Sequence, residues 1–111
     1  MIQSYAMADQ NAKFFIGQIV RHHMFHYRGV IFDIDPEYCN SDEWYEAMAR
    51  SRPPKDKPWY HVLVHGETHA TYVAEQNLEE DPSGASIDHP AVEIKFAAYG
   101  DGRYILSRAM N

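Results

Sequence analysis

The sequence has a single cysteine, Cys39, among its 111 residues. One cysteine can form neither an internal disulfide nor a four-thiolate metal site, which is typical of proteins from a reducing compartment. Long apolar runs are lacking too: runs such as 62–64 are far shorter than the ~20 residues that cross a bilayer. The first residues lack the basic start and continuous apolar core of a signal peptide, so we expect a cytoplasmic protein without a membrane span.

Basic residues are scarce, since 10 Lys and Arg stand against 16 Asp and Glu, for a net charge of -6. This balance is unfavourable for a protein whose affinity comes mainly from neutralising phosphates. Positive charge is nevertheless concentrated in 11–30 and 50–57, whereas 33–46 is strongly acidic. These runs are either solvated loops or two basic edges on an acidic body. The candidate DNA- or partner-binding residues are the cations of the basic edges: Arg21, Arg28, Arg50, Arg52, Lys55 and Lys57.

What the chain does contain is enough apolar material for one domain. With 45% hydrophobic and 14% aromatic residues, it does not have the composition of a disordered chain. We expect a flexible N-terminal segment over 1–12 and a single domain over 13–111.

Apolar and polar residues alternate in a way that predicts a mainly β protein. Strands are expected over 17–22, 28–35, 59–64 and 69–74, the last two forming a hairpin. A helix is expected over 41–50, a second one over 90–99, and loops over 51–58 and 79–84. Four strands with short connections favour a small antiparallel barrel or curled sheet with one or two short helices. Trp59 opens the most apolar strand, and we expect it in the core.

Motifs for catalysis are absent: there is no Gly-rich phosphate loop, nucleophile elbow or HExxH helix. Asp33 and Asp35 lie two apart on a predicted strand, either as an acid/base pair or, more commonly, closing a turn. His61, His65 and His69 recur every four residues, which would align them on a helix but not on the predicted strand. We therefore expect no catalytic residue, metal site or cofactor. A small histidine-rich metal-binding protein or metal-dependent enzyme is the alternative.

Four blocks of sequence, in order, carry a family resemblance. Residues 15–22 read FIGQIVRH, 27–36 read YRGVIFDIDP, 58–64 read PWYHVLV and 71–78 read TYVAEQNL. Together they resemble the heat shock protein HspQ family, also called the YccV-like, hemimethylated-DNA-binding domain. The resemblance implies an SH3-like small β-barrel without enzymatic activity. It also implies two activities in stress: binding hemimethylated DNA, and assisting an ATP-dependent Clp-type protease with denatured proteins.

Two classes of function follow, a DNA-binding regulator and a protease adaptor or specificity factor. The acidic body favours the adaptor, because it repels a DNA duplex. The loop over 51–58 is either a recognition element, with charges on a backbone kept extended by prolines, or a connector. Homo-oligomerisation is compatible with both classes.

Overall fold

The computed structural model describes residues 11–107, which form two antiparallel sheets and two short helices. The predicted flexible segment 1–12 lies outside the described residues except for its last two. The elements in chain order are β1 Ile19–His22, β2 Arg28–Asp35, α1 Asp42–Met48, β3 Trp59–Val64, β4 Ala70–Ala74, a 3-10 turn Glu75–Asn77, β5 Leu78–Glu80, α2 Val92–Lys95, β6 Phe96–Gly100 and β7 Arg103–Leu106.

The larger sheet has the order β4-β3-β2-β1-β5, and β6 and β7 form a separate hairpin. The prediction of a mainly β, antiparallel protein with two short helices is thereby confirmed. β4 and β5 are the two edges, and within 11–107 they do not pair with each other. The sheet is therefore not closed into a barrel by hydrogen bonds.

The predicted strands agree with the structure where the pattern is strongest. β2 and β3 have the predicted bounds, and β1 and β4 are shorter at their first residues. The loop predicted over 79–84 begins with part of β5, which pairs with β1. The helix predicted over 90–99 is wrong beyond Lys95, because Phe96 enters β6 and is buried beside Tyr104 of β7.

The central strand β3 is buried on both faces, which explains why all its residues except His61 are apolar or aromatic. Val62 belongs to the core on one face with Val20, Ile31 and Tyr60, whereas Leu63 packs on the other face against the hairpin. Gly17 joins the hairpin to the sheet: its φ is +95°, and a Cβ there would lie 2.1 Å from the carbonyl oxygen of Tyr104. The Tyr104 amide donates to the Gly17 carbonyl at 2.8 Å.

Trp59 holds α1 and the loop 51–58 against the sheet. It is 2% exposed and packs with Tyr45 and Ala49 of the helix region, which confirms the expected core position. Its Nε1 donates to the carbonyl oxygen of Pro54 at 3.1 Å. The hydroxyl of Tyr45 donates to the carbonyl oxygen of Pro53 at 2.7 Å. The loop therefore has a fixed path over the helix and strand.

Replacing Trp59 should show how much the stability of the fold depends on the packing of its side chain. We expect Trp59→Ala to lower the free energy of unfolding by about 3–5 kcal/mol, because deletion of a buried aromatic leaves a cavity. Trp44→Ala, at a half-buried position on α1, is the matched control and should cost less. Urea denaturation followed by circular dichroism measures both. A Trp59→Ala protein as stable as the parent but defective in partner binding would instead place Trp59 in an interface.

Candidate binding groove

A groove of about 740 Å³ lies between the β1–β2 loop, β4, α1 and the first residues of the loop 51–58. Its lining is mainly apolar and aromatic, as in most ligand-binding clefts. Large side chains in its lining include Phe25 and Met24 from the β1–β2 loop, Trp44 and Met48 from α1, and Tyr72 from β4. We call this the apolar groove.

Large apolar side chains are exposed at the rim of the apolar groove. Phe25 is 71% exposed and Met48 is 61% exposed, and Met24 is also exposed. Apolar side chains grouped around a concave surface mark interaction sites more often than isolated ones do. Methionine adds a flexible, polarizable contact that adapts to different partners.

His22 fixes the conformation of the β1–β2 loop. Its Nδ1 accepts hydrogen bonds from the backbone amides of Met24 and Phe25, both at 3.1 Å. Its ring stacks on that of Phe25, with centroids 4.7 Å apart. Burial lowers the pKa of His22 below 6.5, and the neighbouring His23 and His26 lower it further. His22 is therefore neutral near pH 7, as an acceptor of two hydrogen bonds must be.

The outer edge of β4 runs along the apolar groove. All five residues of β4 line it, and β4 pairs with β3 along its other edge. Within the part of the chain that the structure describes, no strand pairs with this outer edge. An unpaired edge offers backbone donors and acceptors to an added strand.

Four of the six candidate cations form ion pairs within 11–107, and the pairs of Arg21 and Arg28 are the less exposed ones. The Nε of Arg21 donates to Glu79 Oε2 at 2.8 Å, and this hydrogen bond lowers the pKa of Glu79. The Nε of Arg28 donates to Asp81 Oδ2 at 2.9 Å. Burial alone would raise the pKa of Asp81, but the hydrogen bonds from Arg28 and Ser83 outweigh it, and the pKa is lowered. These two arginines join β1 and β2 to β5 and the segment after it.

The other four cations lie together on the segment between α1 and β3. Arg52 pairs with Glu46 at 3.0 Å and Lys55 with Asp42 at 3.5 Å, and Lys55 Nζ also lies 4.3 Å from the centroid of the Tyr45 ring. Arg50 and Lys57 are exposed and pair with no acid within 11–107. Arg50 also lines the apolar groove. We call Arg50, Arg52, Lys55 and Lys57 the basic loop.

The histidines at every fourth position have different partners. His65 Nδ1 accepts from the amide of Asp88 at 2.9 Å, and the backbone carbonyl of His69 contacts His89 Nε2 at 3.0 Å. His61 Nε2 lies 3.2 Å from Asp35 Oδ2. Sequence reasoning missed this last pair, because β3 brings His61 opposite β2 only through the sheet register.

The two sheets, the apolar groove and the free edge of β4 together define a small β-sheet binding domain. The family model described as hemimethylated DNA-binding protein YccV like matches residues 12–103. The chain belongs to this family, which confirms the resemblance read from the four sequence blocks. Within 11–107, neither helix has the length needed to span a bilayer.

The pKa of His22 predicts how stability depends on pH. The folded state holds His22 neutral, so the unfolded chain binds more protons once the pH falls below 6.5. The contribution of His22 is therefore complete above pH 6.5 and is lost as the pH falls toward its lowered folded pKa. We expect His22→Gln to flatten the pH dependence of the free energy of unfolding between pH 7 and 5, measured by urea denaturation.

His69→Gln is the matched control, because the His69 side chain is exposed and supports no loop amide. It should keep the steeper dependence of the parent protein. Identical pH profiles for the parent and His22→Gln would contradict the role of the neutral imidazole in the β1–β2 loop.

Proposed function

We propose that the chain is a non-enzymatic binding protein that takes up extended apolar segments of denatured proteins in the apolar groove and assists their degradation by a Clp-type, ATP-dependent protease. The observation that carries this proposal is the group of exposed apolar side chains, Met24, Phe25 and Met48, around a groove beside an unpaired strand edge. Such a surface suits a partner that is itself apolar and extended.

The edge of β4 supports an extended partner in particular. A peptide that adds to β4 forms backbone hydrogen bonds independent of its sequence, and the groove takes its alternate side chains. Denatured proteins expose many such segments, so a surface with this chemistry binds them without a fixed motif. An adaptor for damaged proteins requires that breadth.

The basic loop supports contact with a second, acidic partner. Trp59 and Tyr45 fix the path of this loop, so its charges are presented on an ordered backbone and lose little entropy on docking. We propose that it engages an acidic surface of the protease. Homo-oligomerisation, which is compatible with both classes of function, and the expected cytoplasmic location stay predictions.

The SH3-like barrel implied by the resemblance is likewise a proposal. Two features support it: β4 and β5 are the two edge strands of the sheet, and a 3-10 turn connects them directly in the chain. Closure of the barrel requires β4 and β5 to pair with each other, in addition to the strand pairs given above.

Substitutions at the rim of the groove test the adaptor proposal. We expect Phe25→Ser combined with Met48→Ser to weaken binding of a fluorescent, extended apolar peptide about tenfold, because the rim loses two large contacts. Fluorescence anisotropy measures the affinity, and degradation of an unfolded substrate by the purified protease measures the consequence.

Ile94→Ser is the matched control. Ile94 is 76% exposed, so it is as apolar and accessible as Phe25, but it lies on α2 outside the groove. Its replacement should leave peptide affinity unchanged. Equal losses in both proteins, or none in either, would rule out the apolar groove as the peptide site.

Binding of hemimethylated DNA is a second candidate function, and membership of the family favours it. The ion pairs of Arg21 and Arg28 are less exposed than those of Arg52 and Lys55, and Arg50 and Lys57 pair with no acid within 11–107, so we propose that phosphate contacts come from the basic loop. The remaining surface is acidic overall, which makes this binding weak and electrostatic.

Salt dependence tests the DNA proposal. If the four cations of the basic loop each contact one phosphate, the log-log slope of affinity against salt should be no steeper than about -4. Serine at Arg52, Lys55 and Lys57 together should reduce the slope by about 3 and barely change the melting temperature. Electrophoretic mobility shifts at several salt concentrations measure the slope, and Lys95→Ser is the control. Tight, salt-insensitive and methylation-specific binding would show base readout instead.

A further inference from the structure

We propose that Asp33, Asp35 and His61 form a binding site for a divalent transition-metal cation of the Zn²⁺ type. The three residues come from neighbouring strands: Asp33 and Asp35 lie on β2, and His61 on β3 is the direct cross-strand partner of Asp33. A register shift between Ile31 and Asp33 marks a bulge in β2 just before the site. Bulges commonly redirect side chains next to functional sites.

The spacing of the donor atoms suits a metal. One donor atom from each residue lies within 4.8 Å of the others, and His61 Nε2 is 3.2 Å from Asp35 Oδ2. Ligands bound at ~2.1 Å lie roughly 3.0 to 3.4 Å apart in octahedral or tetrahedral geometry. One pair already has this spacing, and Asp33 is exposed, with its Oδ1 accepting from the Ile34 amide at 2.9 Å.

Tyr72 holds two of the proposed ligands, Asp35 and His61, in place. Its hydroxyl donates to Asp35 Oδ2 at 2.7 Å, and its ring packs on that of His61 with centroids 4.6 Å apart. A hydrogen-bonded outer residue of this kind orients metal ligands and raises affinity.

The charge of the cluster favours a cation. The site holds two carboxylates, and neither forms an ion pair with a lysine or arginine in the described chain. An imidazole nitrogen together with carboxylate oxygens suits zinc and similar metals, whereas Mg²⁺ and Ca²⁺ prefer oxygen alone. The alternative is that His61 and Asp35 form only a hydrogen bond.

Isothermal titration of the full chain with Zn²⁺, after removal of bound metal with a chelator, tests the site. We expect saturable 1:1 binding, at least tenfold weaker in Asp33→Asn and in His61→Gln. Tyr72→Phe should also weaken binding about tenfold, because an outer-shell donor is lost. Mg²⁺ should not compete. Co²⁺ in place of Zn²⁺ should give an absorption band in the visible range that depends on Asp33 and His61.

The matched controls are His69→Gln and Glu67→Gln, which change an exposed imidazole and an exposed carboxylate on the neighbouring β3–β4 segment. Both should keep the parent affinity. Absence of saturable Zn²⁺ binding, or unchanged affinity in Asp33→Asn, would overturn the proposal and leave the hydrogen bond alone. Asp33 is exposed, so its replacement gives an answer even if His61→Gln does not fold.

The site shares His61 and Tyr72 with the lining of the apolar groove, so the two proposals are separated with residues that belong to only one of them. Phe25→Ser, which changes the groove alone, should not alter Zn²⁺ affinity, whereas Asp33→Asn, outside the groove lining, should not alter peptide binding in the presence of chelator. Loss of one binding activity without the other therefore identifies which of the two proposals has failed.

Discussion

The packing of Trp59 is the contact on which the binding surface depends. Its ring lies between α1 and β4, and its indole nitrogen fixes the loop 51–58 through Pro54. One wall of the apolar groove and the position of the basic loop both follow from this burial. The other wall, which carries Phe25, depends instead on two hydrogen bonds to His22. The groove is thus built from one wall held by apolar burial and one held by hydrogen bonds to an imidazole.

The sequence predicts the fold well where the pattern of apolar and polar side chains alone determines the secondary structure. β2 and β3 have their predicted bounds because their apolar residues form runs that only buried strands accommodate. β5 reads as an acidic loop, because its strand character arises from pairing with β1 and from the ion pair between Glu79 and Arg21. The residues over 96–100 include two alanines and read as helix, yet burial of Phe96 against Tyr104 outweighs that local preference.

The candidate site likewise has features that the local sequence pattern predicts and features that depend on long-range pairing. The local excess of positive charge indicates six candidate cations. It does not predict that Arg21 pairs with Glu79 and Arg28 with Asp81, because each partner is some fifty residues away in the chain. Regular spacing draws attention to His61, His65 and His69, whereas the sheet register gives His61 a different set of neighbours, Asp33 and Asp35. Both relations are long-range, so neither periodicity nor local charge contains them. The apolar groove is equally invisible in the sequence, because its lining comes from four separate segments.

The positions of the cations also bear on how two activities fit on one acidic chain. The ion pairs of Arg21 and Arg28 are partly buried, whereas the cations of the basic loop are either exposed without an acidic partner or in exposed pairs. Arg50 belongs to that loop and at the same time lines the apolar groove. On the proposed assignments, a DNA strand bound at the loop and a peptide bound in the groove occupy the same space around Arg50.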